Sequence, residues 1–318
     1  MKAYDKNMKN VLLVAFVALG LFNASAQAGQ HCLVIGDSLS KEYEVEFPAL
    51  YPSNPDSWKA RNWIEILAEQ RNAWFDIGHF QAFYDPRLVG HEFDWAFPGA
   101  KTQEIRDRLY SKSWFDQIWQ NSLRSELKSS VNRVVIFAGG NDVSGYYGDI
   151  YNGKSPTLLI NKTRDNLMAI VDYVRAVRPS LQIVLVAVPH PGCSPHIQDS
   201  YPTNTVKTAR VTTALNSLNT QLAALTKSRA VGFAGNVYEF TKSMITGKFI
   251  IGGVEIARKA DADARPTYAY SGDGYHPGTS AQSRVAQIIL DTFRTKWPSP
   301  AIPPLTDAEV LSKVLKIQ

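Results

Sequence analysis

Short apolar runs alternate with longer amphipathic stretches along this 318-residue chain. The runs at 32–36, 74–80, 132–138, 181–189 and 230–235 predict strands, and the stretches at 58–71, 101–128, 157–177, 205–228 and 279–296 predict helices. In "TLLINKTRDNLMAIVDYVRAV", Leu159, Ile160, Leu167, Ile170, Val171 and Val174 fall on one helical face, the pattern of a helix packed on a sheet. Strand and helix in regular alternation predict an α/β fold with a parallel sheet covered on both faces. In such sheets ligands bind beyond the carboxyl ends of the strands.

Three segments depart from the alternation. Residues 236–272 predict a helix, a short hairpin and a loop; they directly precede Asp273 and are expected to pass near a site there, shaping its pocket as a flap. "WPSPAIPPL" is a Pro-rich connector, and Thr306 with Glu309 forms a capping-box pattern for a short terminal helix, so 298–318 reads as packing. At the other end, a lysine-bearing start, the apolar run "VLLVAFVALGLF" and the exit Ala26-Gln27-Ala28 are the parts of a secretory signal peptide over 1–28. The run is short of the about 20 apolar residues that span a bilayer, so no stable membrane anchor is expected. The expected product is exported, secreted or periplasmic, with one main domain over 29–297.

Removing Lys2, Lys6, Lys9 and Asp5 with the leader lowers the net charge from +5 to about +3. The remaining charges are scattered without a basic run, which gives no reason to expect a nucleic-acid partner. Export permits a disulfide, but Cys32 opens a predicted strand and Cys193 follows the end of another. In parallel neighbours those positions lie at opposite edges, beyond the roughly 7 Å Cα limit for bridging, so two free thiols are expected.

Candidate chemistry begins at "CLVIGDSLSKEYE", where the first strand stops at Gly36-Asp37-Ser38. A serine there is either a turn residue or a nucleophile, and a nucleophilic serine needs a base with an orienting partner. Of the six histidines, His31, His79, His91, His190, His196 and His276, only His276 has suitable company: "YSGDGYHPGTSAQ" sets Asp273 three residues before it, ahead of the last long helix. An oxyanion would also need donors. Asn141, in "VVIFAGGNDVSG", and the backbone N–H of Gly99, in "DWAFPGAKTQEI", stand at suitable places, though each also reads as a turn former.

Taken in order, Gly36-Asp37-Ser38-Leu39, Gly99, Gly140-Asn141-Asp142 and Asp273-Gly274-Tyr275-His276-Pro277 resemble the blocks of the SGNH, or GDSL-type, serine hydrolase family. They span residues 34 to 277. The resemblance implies a flavodoxin-like three-layer α/β/α sandwich with a parallel sheet of about five strands. It also implies a serine esterase needing no metal or other cofactor. Carried over, Ser38 would be the nucleophile, His276 the base and Asp273 its orienting acid, with Ser38 N–H, Gly99 N–H and the Asn141 amide as oxyanion hole. Gly36-x-Ser38-x-Ser40 lacks the last glycine of the α/β-hydrolase nucleophile elbow, which separates the two families.

Around these blocks Tyr43, Trp95, Phe97, Tyr146, Tyr147, His190 and Tyr275 are candidates to line a cleft, against a core-packing alternative for the aromatics and a satisfied loop role for His190. Tyr146, Tyr147, His190 and Tyr275 are the substrate-binding candidates. His190 and His196 lack the i, i+4 spacing and a third ligand of a zinc site, so no metal is expected. The expected activity is hydrolysis of short-chain acyl esters, with a small molecule or an acylated polysaccharide as partner. An O-acyltransferase using the same residues, a lipase or lysophospholipase-like esterase, and a non-catalytic binding protein are the alternatives.

Overall fold

The computed structural model describes residues 30–46, 59–84, 88–261 and 266–317. The expected leader lies outside them. In chain order the strands are β1 (Cys32–Gly36), β2 (Phe80–Tyr84), β3 (Leu88–His91), β4 (Asp94–Ala96), β5 (Arg133–Phe137), β6 (Gln182–Val186), β7 (Gly232–Ala234), β8 (Phe249–Ile251) and β9 (Val254–Ile256). Five of them form a parallel sheet in the order β4-β1-β5-β6-β7, while β2-β3 and β8-β9 are separate antiparallel pairs. The helices are α1 (Tyr43–Glu46), α2 (Trp63–Gln70), α3 (Asn72–Phe75), α4 (Thr102–Tyr110), α5 (Trp114–Ser129) and α6 (Gly140–Tyr151). They continue with α7 (Thr157–Val177), α8 (Pro195–Ser200), α9 (Thr205–Ser228), α10 (Asn236–Ser243), α11 (Thr279–Lys296) and α12 (Asp307–Glu309).

The pleat sends alternate side chains to opposite faces. Leu33, Ile35, Val134, Ile136, Ile183 and Leu185 meet the apolar stripes of α4, α5, α6, α7 and α9. Cys32, Val34, Val135, Phe137, Val184 and Val186 meet α2, α3 and α11 on the other side. Both faces of β1 and β5 are therefore buried, which is why these strands read as unbroken apolar runs. The result is the three-layer α/β/α sandwich. Among the described residues no helix is long and apolar enough to cross a membrane.

Two elements differ from the sequence expectation. The run 74–80 is not a strand: Trp74 and Phe75 close α3, and β2 starts only at Phe80. Phe75 is buried edge-on against Phe293, 5.3 Å between centroids, so a helical turn buries the apolar group that alternation assigns to a strand. The sheet partner of β1 on that side is the three-residue β4, with Val34 opposite Asp94. The expected helix 101–128 is two helices, broken at 111–113. Gln120 caps that break, its amide N–H groups donating to the carbonyls of Arg108 (2.7 Å) and Ser111 (2.9 Å).

Cys32 and Cys193 are buried free thiols. β5 separates β1 from β6, so they are not on neighbouring strands. At the carboxyl end of the chain, Thr306 and Glu309 make the reciprocal capping box, and buried Val310 and Val314 join the core beneath α2 and α11.

Candidate active site

Ser38 follows β1 at the carboxyl edge of the sheet. A side chain at Gly36 would stand 2.5 Å from the Phe137 carbonyl oxygen, so only glycine lets β1 end this close to β5. Asp37 then folds the turn, accepting at Oδ1 from Leu39 N (3.0 Å), while its carbonyl accepts from Ser40 N (3.0 Å) and Lys41 N (3.1 Å). The turn is fastened from below. Asn62, the N-cap of α2, donates to the carbonyls of Ser40 (3.0 Å) and Lys41 (2.7 Å), and Trp63 Nε1 donates to Ser40 Oγ (3.2 Å). Lys41 is paired with buried Glu42 (2.7 Å), which also accepts from the His91 backbone N–H (2.6 Å) and so ties β3 to the turn.

The loop before α11 presents His276. Its Nε2 lies 2.9 Å from Ser38 Oγ, and its Nδ1 is hydrogen-bonded to Asp273 Oδ2. The other Asp273 oxygen accepts from Ser271 Oγ (2.8 Å), Tyr275 N (2.8 Å) and His276 N (2.9 Å). The three-residue spacing thus closes a turn in which one carboxylate holds both backbone and ring. Tyr43 backs this loop from the core, its hydroxyl donating to the Pro277 carbonyl (2.5 Å).

The electrostatics follow from these contacts. Burial by itself raises the Asp273 carboxyl, but the hydrogen bonds from the His276 ring, His276 N and Tyr275 N outweigh it and hold the group well below the usual carboxylate range. For His276 burial disfavours the cation, yet the Asp273 hydrogen bond and charge, helped by Glu46 and Asp37, leave its pKa above the ordinary value. Asp37 behaves oppositely. It is 1% exposed, its Oδ2 has no hydrogen-bond partner, and burial pushes it up to about 7 despite the Leu39 N–H. Burial likewise pushes Glu46 up to about 7, with His276 and Lys41 opposing.

The two oxyanion candidates sit together. Gly99 has φ +76°, a left-handed conformation that demands glycine although a side chain there would meet nothing within 4 Å. Asn141 lies in the first turn of α6 and donates through Nδ2 to the Ala100 carbonyl (3.1 Å), leaving one amide N–H unassigned. Its neighbour Asp142 receives Thr102 N (2.9 Å) and Thr102 Oγ1 (2.7 Å). Phe97 N donates to the Gly36 carbonyl (3.0 Å), fixing the Gly99 turn against the Ser38 turn. Thr102 has no mark in the sequence, and Asp142 stands in the quoted motif without a role.

The lining candidates divide. Tyr275 is beside the site, its ring edge-on to His276 and its hydroxyl 2.6 Å from Ser144 Oγ. His190 is fully buried, with Nε2 3.1 Å from Thr212 Oγ1 and Nδ1 accepting from Gly192 N (3.1 Å); burial pulls its pKa down to about 4, so the ring is neutral. Tyr147 does not line a cleft. At 1% exposure it packs among Tyr151, Tyr201 and His190, because α6 turns it inward while Tyr146 faces solvent at 46%. Trp95 is likewise a core residue, its indole N–H donating to Glu126 (2.6 Å), and Phe97 lies under the Arg108 guanidinium.

Below Leu39 lies an apolar cavity of about 60 Å³ between the Pro189–Ser194 turn, α10 and α11. Sequence reasoning expected residues 236–272 near the site; α10 and Met244 supply the cavity wall, while the β8-β9 hairpin does not. Among the described residues no three His, Cys, Asp or Glu side chains group as a metal site would need.

The sequence matches the GDSL-like Lipase/Acylhydrolase family over residues 33–289. No curated protein matches it. Among solved structures, a lipase from a goat rumen metagenome is similar at a TM-score of 0.50 and 13% identity, over 83% of this chain and 97% of that one. A phospholipase A1 from Streptomyces albidoflavus matches at a TM-score of 0.47 and 17% identity, over 83% and 100%. A carbohydrate esterase family 3 protein from Talaromyces cellulolyticus matches at 0.42 and 12%, over 82% and 94%. Matched over most of its length, the chain belongs to the GDSL-like lipase/acylhydrolase family and is a carboxylic ester hydrolase.

Proposed function

We propose that this protein is an exported serine esterase that hydrolyses short-chain acyl esters through an acyl-enzyme on Ser38. The observation that carries the reading is the continuous hydrogen-bonded line Ser38 Oγ, His276 Nε2, His276 Nδ1, Asp273 Oδ2 at the carboxyl edge of the sheet. A serine hydroxyl is a weak nucleophile; a neutral imidazole at 2.9 Å removes its proton as Oγ attacks the ester carbonyl carbon. Asp273, held ionised, keeps the His276 tautomer with Nε2 free to accept and stabilises the imidazolium that forms. The developing oxyanion is received by the N–H groups of Ser38 and Gly99 and the free N–H of Asn141.

Collapse of the intermediate expels the alcohol, which takes the proton from His276 and leaves an ester on Ser38. Water then attacks that ester, giving one proton to His276; the acid departs and Oγ regains its proton. Export rests on residues 1–28, and an acylated polysaccharide is one ester an exported enzyme would meet.

The test is p-nitrophenyl butanoate hydrolysis by the mature protein beside Ser38→Ala. A loss of roughly 10³-fold or more, with folding intact by circular dichroism, supports the assignment. Turnover retained in the mutant sinks it. Acyl transfer to an added sugar in preference to water would replace hydrolysis with the acyltransferase reading.

A further inference from the structure

We infer that the apolar cavity beneath Leu39 is an acyl-chain pocket that selects butanoyl and hexanoyl esters over acetyl and decanoyl ones. The inference rests on the proposed roles of Ser38 and His276 and goes beyond them to the substrate.

Position is the first argument. The cavity is bordered by Leu39, Gly140, Tyr275 and Pro277. Leu39 follows the nucleophile, Gly140 precedes Asn141, and the other two bracket His276. The cavity therefore adjoins the Ser38–His276 pair, its wall made by the chain neighbours of those two residues and not by the residues themselves. Two of the three candidate oxyanion donors, the Gly99 N–H and the Asn141 amide, belong to the turn before α4 and to α6, whose apolar sides pack on one face of the sheet. The cavity is walled by Val237, Met244 and Val285, which pack on the opposite face with α11. An ester with its carbonyl oxygen on the first side points its hydrocarbon away from that side.

Chemistry is the second. Val237, Phe240, Met244, Val285 and Leu39 give the wall no charge. His190, which also borders it, is neutral and has both ring nitrogens engaged with Thr212 and Gly192. Gln282 turns its amide N–H groups to the Tyr43 hydroxyl (3.0 Å) and the Leu39 carbonyl (3.4 Å), while its Oε1 is buried without a hydrogen-bond partner, one polar atom among apolar neighbours. Such a wall accepts methylenes and rejects a sugar ring, whose hydroxyls would lose their hydrogen bonds with water. The occupant is thus the acyl chain, and a polar alcohol stays outside.

Size is the third. The cavity measures about 60 Å³, and a water-sized group needs roughly 10–15 Å³, so about four to six such groups fit. Acetyl leaves the space empty, and decanoyl exceeds it.

The experiment compares kcat/KM for p-nitrophenyl acetate, butanoate, hexanoate and decanoate in the wild type, Phe240→Ala and Val285→Phe, with Ser38→Ala as control. Butanoate or hexanoate is expected to exceed acetate on the order of tenfold or more, since each added methylene in a fitted pocket is worth about that factor. Val285→Phe should lower the hexanoate-to-acetate ratio and Phe240→Ala should raise the decanoate-to-hexanoate ratio. Ratios are read so that a general loss of activity does not count. Should either variant fail to fold, inhibition of the wild type by methyl-, butyl- and decylboronic acids gives the same ranking, with butyl strongest. A flat profile or an acetate optimum overturns the pocket, as does faster hydrolysis of butyl acetate than of methyl butanoate. Those results leave the serine assignment standing, which fails only if Ser38→Ala still turns over.

Discussion

Two aspartates flank the Ser38–His276 pair, and their environments drive them apart. Asp273 receives four hydrogen bonds and is held below the usual carboxylate range although it is partly buried. Asp37 immediately precedes the serine, receives a single backbone N–H, leaves Oδ2 without a partner and is pushed up to about 7. Nearness to the histidine does not decide the charge; the supply of donors does. A turn closed by Asp273 gathers its donors from its own backbone. The Asp37 turn spends its N–H groups elsewhere, on the Asp37 carbonyl.

The hardest blow to this contrast is Asp273→Asn. An amide keeps the size but loses the charge and favours the wrong imidazole tautomer. We expect kcat/KM to fall by roughly 10³–10⁴. The pH profile adds a second readout. In the proposed mechanism His276 acts as base when neutral, so activity in the wild type is expected to rise with pH through a pKa above the ordinary histidine value. Without the Asp273 charge that limb should move to lower pH. A loss below tenfold would mean Asp273 is not the orienting acid.

Next in size come the two turns that hold the oxyanion candidates. Asn141→Ala removes the proposed side-chain donor and should cost roughly 10²–10³ in kcat. Thr102→Val leaves the backbone N–H on Asp142 but removes the hydroxyl that Asp142 accepts and that Asn166 donates to (3.2 Å). Thr102 is fully buried and bonded to Asp142, so its expected role is to position the α4 and α6 starts. On the order of a tenfold fall in kcat with KM unchanged, rescued by Thr102→Ser, is expected. A change in KM alone would make the pair a purely structural tie.

How much of this was legible in the sequence follows the range of the interactions. The Asp273–His276 turn is local, so a three-residue spacing reveals it. Long amphipathic helices such as α7 and α9 carry enough periods to be read directly. By contrast β4 is three residues long, too short for any period, and its strand identity exists only through pairing with β1. The 74–80 run alternates like a strand, yet burial of Phe75 against α11 is satisfied by a helical turn. Tyr146 and Tyr147 are adjacent, and only the rotation of α6 separates the solvent-facing ring from the core one. The charge of Asp37 depends on burial beneath segments far away in sequence, so no spacing could show it.

The finest test of the contrast is Asp37→Asn. Because the folded pKa is raised, the group adds stability while protonated, and that contribution is lost as pH rises from its ordinary 3.8 through about 7. Asparagine mimics the neutral acid and can still accept from Leu39 N. The variant should therefore gain on the wild type as pH rises across this window. A thermal midpoint a few degrees higher at pH 8 is expected, with the gap narrowing toward pH 4. The Asp37 charge also favours the His276 cation, so its removal should shift the acid limb of the activity profile slightly downward. A midpoint that falls more at pH 8 than at pH 4 would mean that Asp37 is ionised and stabilising there, and the two aspartates would then be alike.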